Sequence, residues 1–136
     1  MKKMNSNKQN NKKFKTFEDL EIYKKAREFH KKIYQLIKKL PQEEKYNLDP
    51  QMRRASISLT NNITEGHGRY HFQENIQFCR HSRGSLEELL DDLNVCIDEQ
   101  YFPEEYLNGL KTEGFELLKD LNGYIKYLKT MKEESK

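Results

Sequence analysis

Arg53, Arg54, Arg69, Arg80 and Arg83 are the side chains of this sequence best suited to chemistry. A guanidinium is a planar fork of N–H donors that stays charged, and it matches phosphate oxygens two at a time. Arg54, Arg69 and Arg80 are the candidates for phosphate contact. Arg53 and Arg83 fall nearest the apolar faces and are expected to hold structure, Arg83 through Glu87 at the i, i+4 spacing of a helical ion pair. Lys24, Lys31 and Lys38 recur every seven residues, with Arg27 between the first two, and Lys25, Lys32 and Lys39 repeat the row one position on. Such a row is a solvated face, a track along a phosphate backbone, or the counterpart of a partner's acidic face.

Other chemistries find less support. Glu65, His67 and His71 contain a four-residue histidine spacing that a helix could offer to a metal ion, but Gly66 and Gly68 interrupt it. Glu65 with His30 or His81 lacks any local feature that would join them. The carboxylates of the third helix fall at i, i+4 (Glu87 and Asp91, Glu88 and Asp92), yet no Glu-x-x-His motif accompanies them as in di-iron bundles. There is no CxxC pair and no glycine-rich phosphate loop. The chain is therefore expected to be no enzyme and to hold neither metal nor cofactor. A metal-dependent nuclease built on Glu65 and His67 is the least favoured alternative.

Helices must position these groups. Thr16 and Asp19 form a capping-box pattern that starts the first helix, and Pro41 stops it. Ile22, Ala26, Phe29, Ile33, Leu36 and Leu40 make one apolar seam, and Tyr23, His30, Tyr34 and Ile37 make a second row beside it. A helix with two apolar rows needs more than one neighbour. Asp49 is expected to cap the second helix, with Pro50 at its first position. That helix, to about Glu65, carries Ser56, Ser58, Thr60, Asn61, Asn62 and Thr64 where a surface helix would carry Lys and Glu. Such side chains let another backbone come close and bond across the contact, so packing on several sides is expected. Gly66 and Gly68 are expected to end the helix in left-handed or extended conformations, and Gly66–Tyr70 to form a loop.

The third helix spans about Phe72 to Glu99, apolar along Phe72, Cys79, Leu86, Leu90, Leu93 and Ile97. Glu87, Glu88, Asp91 and Asp92 are expected on its outer face, as a complement to the lysines of the first helix within the chain or between chains. The fourth begins at Pro103-Glu104-Glu105 and runs to about Met131, with residues 132–136 frayed. Gly84, Gly109, Gly114 and Gly123 suggest close helix contacts. Short connections give an all-α, antiparallel up-down-up-down four-helix bundle over 16–131.

The totals agree. The 136 residues are 35% hydrophobic and 35% charged, with three prolines and six glycines, which suits one helical domain with a charged exterior. No stretch approaches the roughly 20 apolar residues of a membrane span, and the N-terminus lacks the apolar run of a secretory signal, which favours the cytoplasm. Cys79 and Cys96, 17 residues apart on one helix, stand about 25 Å from each other and are read as buried free thiols. Net charge is +3, but residues 1–15 hold six lysines and no acid, leaving 19 basic against 22 acidic residues. The basic excess belongs to a segment expected to be a solvated tail or an arm on phosphates.

The blocks Phe17-Glu18-Asp19-Leu20-Glu21-Ile22-Tyr23-Lys24-Lys25-Ala26, Gln51-Met52-Arg53-Arg54-Ala55, Ser58, Asn62-Ile63, Glu65-Gly66, Gly68-Arg69, Phe72, Phe78 and Arg83-Gly84-Ser85-Leu86-Glu87-Glu88 resemble the bacterial four-helix bundle proteins known as 23S rRNA intervening sequence proteins. The resemblance covers about residues 16–130. Thr64 departs from it, standing where a small residue such as Ala is expected. The resemblance implies an antiparallel bundle that assembles as a homopentamer, with no established enzymatic activity and a role in RNA binding. A related branch, the accessory variability proteins of diversity-generating retroelements, forms pentameric barrels that bind nucleic acid and a reverse transcriptase. The expected function is thus a non-catalytic oligomer binding RNA or DNA through Arg54, Arg69, Arg80, Lys24, Lys31 and Lys38, with Arg53, Glu65, Gly66, Gly68, Arg83 and Gly84 structural or at interfaces. The alternative is a scaffold that docks a protein partner.

Overall fold

The computed structural model describes residues 16–136. The expected basic tail over 1–15 lies outside the described residues. Helices α1 (Glu21–Ile37), α2 (Leu48–His67), α3 (Phe72–Asp98) and α4 (Glu104–Glu134) follow one another with short connections. Each packs on the next and α4 closes back on α1, giving an antiparallel four-helix bundle. The α2–α3 and α3–α4 contacts are extensive, and the α1–α4 contact is much thinner.

The seam of α1 is the core-facing stripe: Ala26, Phe29, Ile33 and Leu36 are fully buried. They meet Met52, Leu59 and Ile63 of α2, Leu86, Leu89 and Leu93 of α3, and Leu107, Leu117 and Leu121 of α4 in one core. The second row of α1 is half-buried at Tyr23, His30 and Tyr34, and buried at Ile37.

Polar residues hold α2 to its neighbours. Ser82 donates to the Leu59 carbonyl, Ser85 to Ser58 Oγ at 2.8 Å, and Gln51 Nε2 to Asp92 Oδ1 at 2.8 Å. Ser56 and His30 Nδ1 are 2.8 Å apart across α1 and α2. Among the described residues α2 is not enclosed: Pro50, Arg54, Ile57, Asn61 and Glu65 form an exposed stripe.

Several local expectations need correction. The capping box of Thr16 and Asp19 forms, but it closes a 3-10 turn (Phe17–Asp19), and the extended backbone of Leu20 separates that turn from α1. Asp49 does not cap α2. The helix starts at Leu48, whose amide donates to Glu44 Oε1 at 3.2 Å, and Asp49 in the first turn accepts from Arg53 Nε at 2.7 Å. Pro50 is tolerated because the first four amides of a helix need no internal acceptor.

Gly66 lies inside α2, and no glycine among the described residues has positive φ. Tyr70 takes the left-handed conformation instead, at φ 64°. Gly66 is a close-approach glycine, as is Gly114, whose Cβ would stand 2.7 Å from Leu90 Cδ2. Gly84, Gly109 and Gly123 have no atom of another element within 4 Å of such a Cβ among the described residues, so none of the other three helices presses on them.

Asp92 points inward, not outward. It is 2% exposed, although Glu88, one turn before it, is exposed. The lysines of α1 do not pair with α3, because in a four-membered ring of helices the first and third are diagonal. Lys25 reaches Asp120 at 3.0 Å and Lys32 reaches Glu113 at 2.7 Å, both on α4.

Candidate nucleic-acid interface

The basic side chains divide by what already engages them. Lys24 pairs with Glu21 at 3.5 Å and Lys31 with Glu28 at 3.3 Å, both between exposed groups on α1. Arg69 pairs with Glu65 at 2.8 Å, and its guanidinium lies over the Phe78 ring, 5.0 Å from the centroid. Arg83 donates to Asn122 Oδ1 at 2.9 Å across α3 and α4, rather than to Glu87. Arg53 is held by Asp49 and sits 5.2 Å from the centre of the Tyr34 ring; the hydrogen bond it donates to Asp49 stabilises its charged form further. Arg54 is exposed, Arg80 half-buried and Lys38 exposed, and none of them makes an ion pair among the described residues.

Lys38 has company. The end of α1, the Pro41–Lys45 connection and the first turns of α2 enclose a concavity of about 300 Å³ lined by Lys38, Lys45, Arg53 and Asp49. The fold creates this cluster by turning back at Pro41, so that Arg53 comes beside Lys38, fifteen positions earlier. Lys45 was not among the residues expected at a site; the proline turn followed by a lysine was the only signal for it. Arg54 adds an exposed charge next to Arg53. Glu43 and Glu44 lie in the same connection, and Tyr101 donates to both. Lys31 and Lys24 stand one and two heptads earlier on α1, and Arg69 at the far end of α2, so the six expected basic residues do not form one cluster.

The buried titratable groups sit elsewhere. Asp92 accepts from Gln51, but its Oδ2 has no partner among the described residues. Burial, with the nearby Glu88 and Asp91 charges, pushes its carboxyl up to about 7. His30 is held below the usual imidazole range by burial, with Arg27 acting the same way and the Ser56 carbonyl opposing. No three His, Cys, Asp or Glu side chains among the described residues are grouped to hold a metal ion. No helix among them is long and apolar enough to cross a membrane.

A four-helix ring with this arginine-bearing second helix can be compared with known proteins. The profile of the 23S rRNA-intervening sequence protein family matches residues 18–123. The chain belongs to that family. Among solved structures, a protein of unknown function from the S23 ribosomal protein family of Bacteroides thetaiotaomicron is similar to it, with a TM-score of 0.71 and 24% identity over 77% of this chain and 98% of that one. That likeness is one of fold. None of the curated proteins matches the chain. The family match embraces α1 to α3 and most of α4, so every basic residue described above falls within it.

Proposed function

We propose that this 23S rRNA-intervening sequence protein is a non-catalytic homo-oligomer, a pentameric ring, that binds structured RNA or DNA through phosphates without reading sequence. The observation that carries the reading is the concavity at the α1–α2 end. There Lys38, Lys45 and Arg53 converge with Asp49 as the one acid in the lining, and Arg54, the next residue of α2, is exposed. Arg80 and Lys39 add charge that has no ion-pair partner among the described residues. The pairs of Lys24 and Lys31 are exposed and worth little, so a phosphate can exchange with the glutamates at small cost. The family resemblance supports the ring, and so does the open stripe of α2, where Ile57 is 43% exposed and no lysine interrupts. Repetition around a ring would turn weak contacts into avidity.

The test is binding of a 23S-derived RNA helix across a salt series, with mass measured by light scattering. A steep fall of affinity with salt, a loss of about tenfold in a Lys38→Ala, Lys45→Ala, Arg54→Ala triple variant, and a pentamer mass are expected. Affinity independent of salt would refute phosphate binding, and a monomer would refute the ring.

A second reading rests on Glu87, Glu88 and Asp91, which are exposed and make no ion pair among the described residues. An acidic helix face of this kind suits a basic protein partner, such as a reverse transcriptase. Neutralising those three acids would then abolish partner binding, and neutralising Lys38, Lys45 and Arg54 would not.

A further inference from the structure

The other end of the bundle carries a different kind of site. The α2–α3 turn, the start of α1 and the last third of α4 meet around a concavity of about 330 Å³. Its wall carries six rings, His67, Tyr70, His71, Phe72, Tyr124 and Tyr127, with Asn75 as a further polar group. Leu20 and Leu128 fill the gaps between them. The rings of Tyr124 and Tyr127 lie nearly parallel, 23° apart with centroids 6.2 Å from each other.

Phe72 and Tyr124 lean on the core, but Tyr70 and Tyr127 do not. Tyr70 is 93% exposed and Tyr127 is 55% exposed. Tyr70 also holds a left-handed backbone at φ 64°, which costs a bulky residue on the order of 1 kcal/mol or more. Stability alone would put Gly or Asn there. An aromatic ring that gains nothing from burial and sits on a strained backbone is a ring presented to solvent.

The charge around the concavity selects the occupant. Between positions 121 and 132, the part of α4 that supplies Tyr124, Tyr127 and Leu128, the sequence has Lys126, Lys129 and Lys132 and no acid. Lys126 and Lys129 are exposed. Of the acids closest in sequence, Asp19 accepts from the Thr16 amide, Glu21 is paired with Lys24 and Glu65 with Arg69, while Glu18 precedes Leu20 by two positions and Glu74 stands in the first turn of α3. Aromatic faces inside a basic surround fit an unpaired nucleobase: the rings stack on the base and the lysines hold the phosphates on either side.

We infer that the His67–Tyr70–Tyr127 concavity is a stacking pocket for one unpaired base of a single-stranded nucleic acid or loop. The inference rests on the nucleic-acid reading above and deepens it. Phosphates at the α1–α2 end would hold the helical part, and this pocket would take a base from an unpaired part at the opposite end of the bundle.

The test uses the full chain and a short RNA with 2-aminopurine at one unpaired position, the same strand with an abasic site there, the DNA of the same sequence, and the strand annealed to its complement. Stacking should quench the 2-aminopurine on binding. A Tyr70→Gly, Tyr127→Ala variant should weaken the single strand by about tenfold and leave the duplex unchanged. Glycine suits the φ of Tyr70, and both rings are exposed, so a thermal melt matching the parent shows that the variant folds. A single strand that binds without quenching, that binds equally well when abasic, or that is indifferent to the loss of both rings would overturn the pocket and leave phosphate binding intact. Failure of every strand to bind would overturn both. Quenching with RNA and not DNA would assign the source to RNA, and equal quenching would assign it to unpaired bases of either kind.

Discussion

Gly66 of α2 lies so close to Asn75 of α3 that a Cβ on it would stand 2.5 Å from the Asn75 amide oxygen and 3.0 Å from Phe78 Cβ. Both neighbours are pinned: Asn75 accepts from the Cys79 thiol, and the Cβ of Phe78 belongs to the α3 scaffold. Gly66→Ala should therefore destabilise the fold by about 1–3 kcal/mol in denaturant melts, despite the better helix propensity of Ala. Gly84→Ala should stabilise it by about 1 kcal/mol, because the helix gains propensity and nothing stands within 4 Å. A loss of stability or of assembled mass in Gly84→Ala would show another copy of the chain packed against that position.

Asp92 gives the fold a pH dependence of unusual sign for a carboxylate. In the folded chain it keeps its proton up to about pH 7, while in the unfolded chain it loses it near the ordinary carboxylate value of about 3.9. Between these values the native state binds more protons, so its contribution to stability falls as pH rises and is gone above about pH 7. The ceiling of the effect is about 4 kcal/mol. Asp92→Asn keeps an acceptor for Gln51 and cannot ionise. The difference in unfolding free energy between the two proteins should shift in favour of the variant from pH 4 to pH 7 and stay constant above. A constant difference across that range would show that Asp92 is ionised in the folded state. His30 acts in the opposite direction at lower pH and cancels in the comparison.

The four helices were legible because three-and-four spacing and three prolines mark them without help from elsewhere in the chain. The glycines and carboxylates were not, because their roles are set by neighbours distant in sequence. Glu88 and Asp92 are acids one turn apart on the same helix, yet Asp92 is buried and takes a hydrogen bond from Gln51, 41 positions before it, while Glu88 is exposed. Gly66 and Gly84 likewise differ by what lies opposite, Asn75 in one case and nothing in the other. The aromatic wall joins Tyr70 to Tyr127 across 57 positions, a separation that no helical spacing brings together.

Both thiols should be inert in the native protein. Cys79 and Cys96 are fully buried, and burial pushes the first up to about 12 and the second, with the charges of Asp92 and Glu44, up to about 11. A thiolate-trapping reagent at neutral pH should modify neither until denaturant is added, and then both. Rapid modification without denaturant would mean that α3 opens locally.

The ion pairs between α1 and α4 should matter little. Lys25 and Lys32 are more than half exposed, as such pairs usually are when worth about 0.2–1 kcal/mol each. A Lys25→Met, Lys32→Met variant should melt within a few degrees of the parent at low salt and indistinguishably at high salt. A larger loss would show that the lysines hold α1 in place.

The thin α1–α4 joint also sets an order of events. A charged groove of about 380 Å³, with Leu117 at its base among Lys24, Glu28, Glu116 and Asp120, separates the two helices along part of their length. Helices α2, α3 and α4 keep their broad contacts whether or not that joint is closed. In amide exchange the bundle would then behave as two cooperative units, with α1 surrendering its protons at a lower free energy than the three helices behind it. The helix that carries the lysine row would then leave by breaking its contact with α2 and withdrawing Phe29, Ile33 and Leu36 from the core.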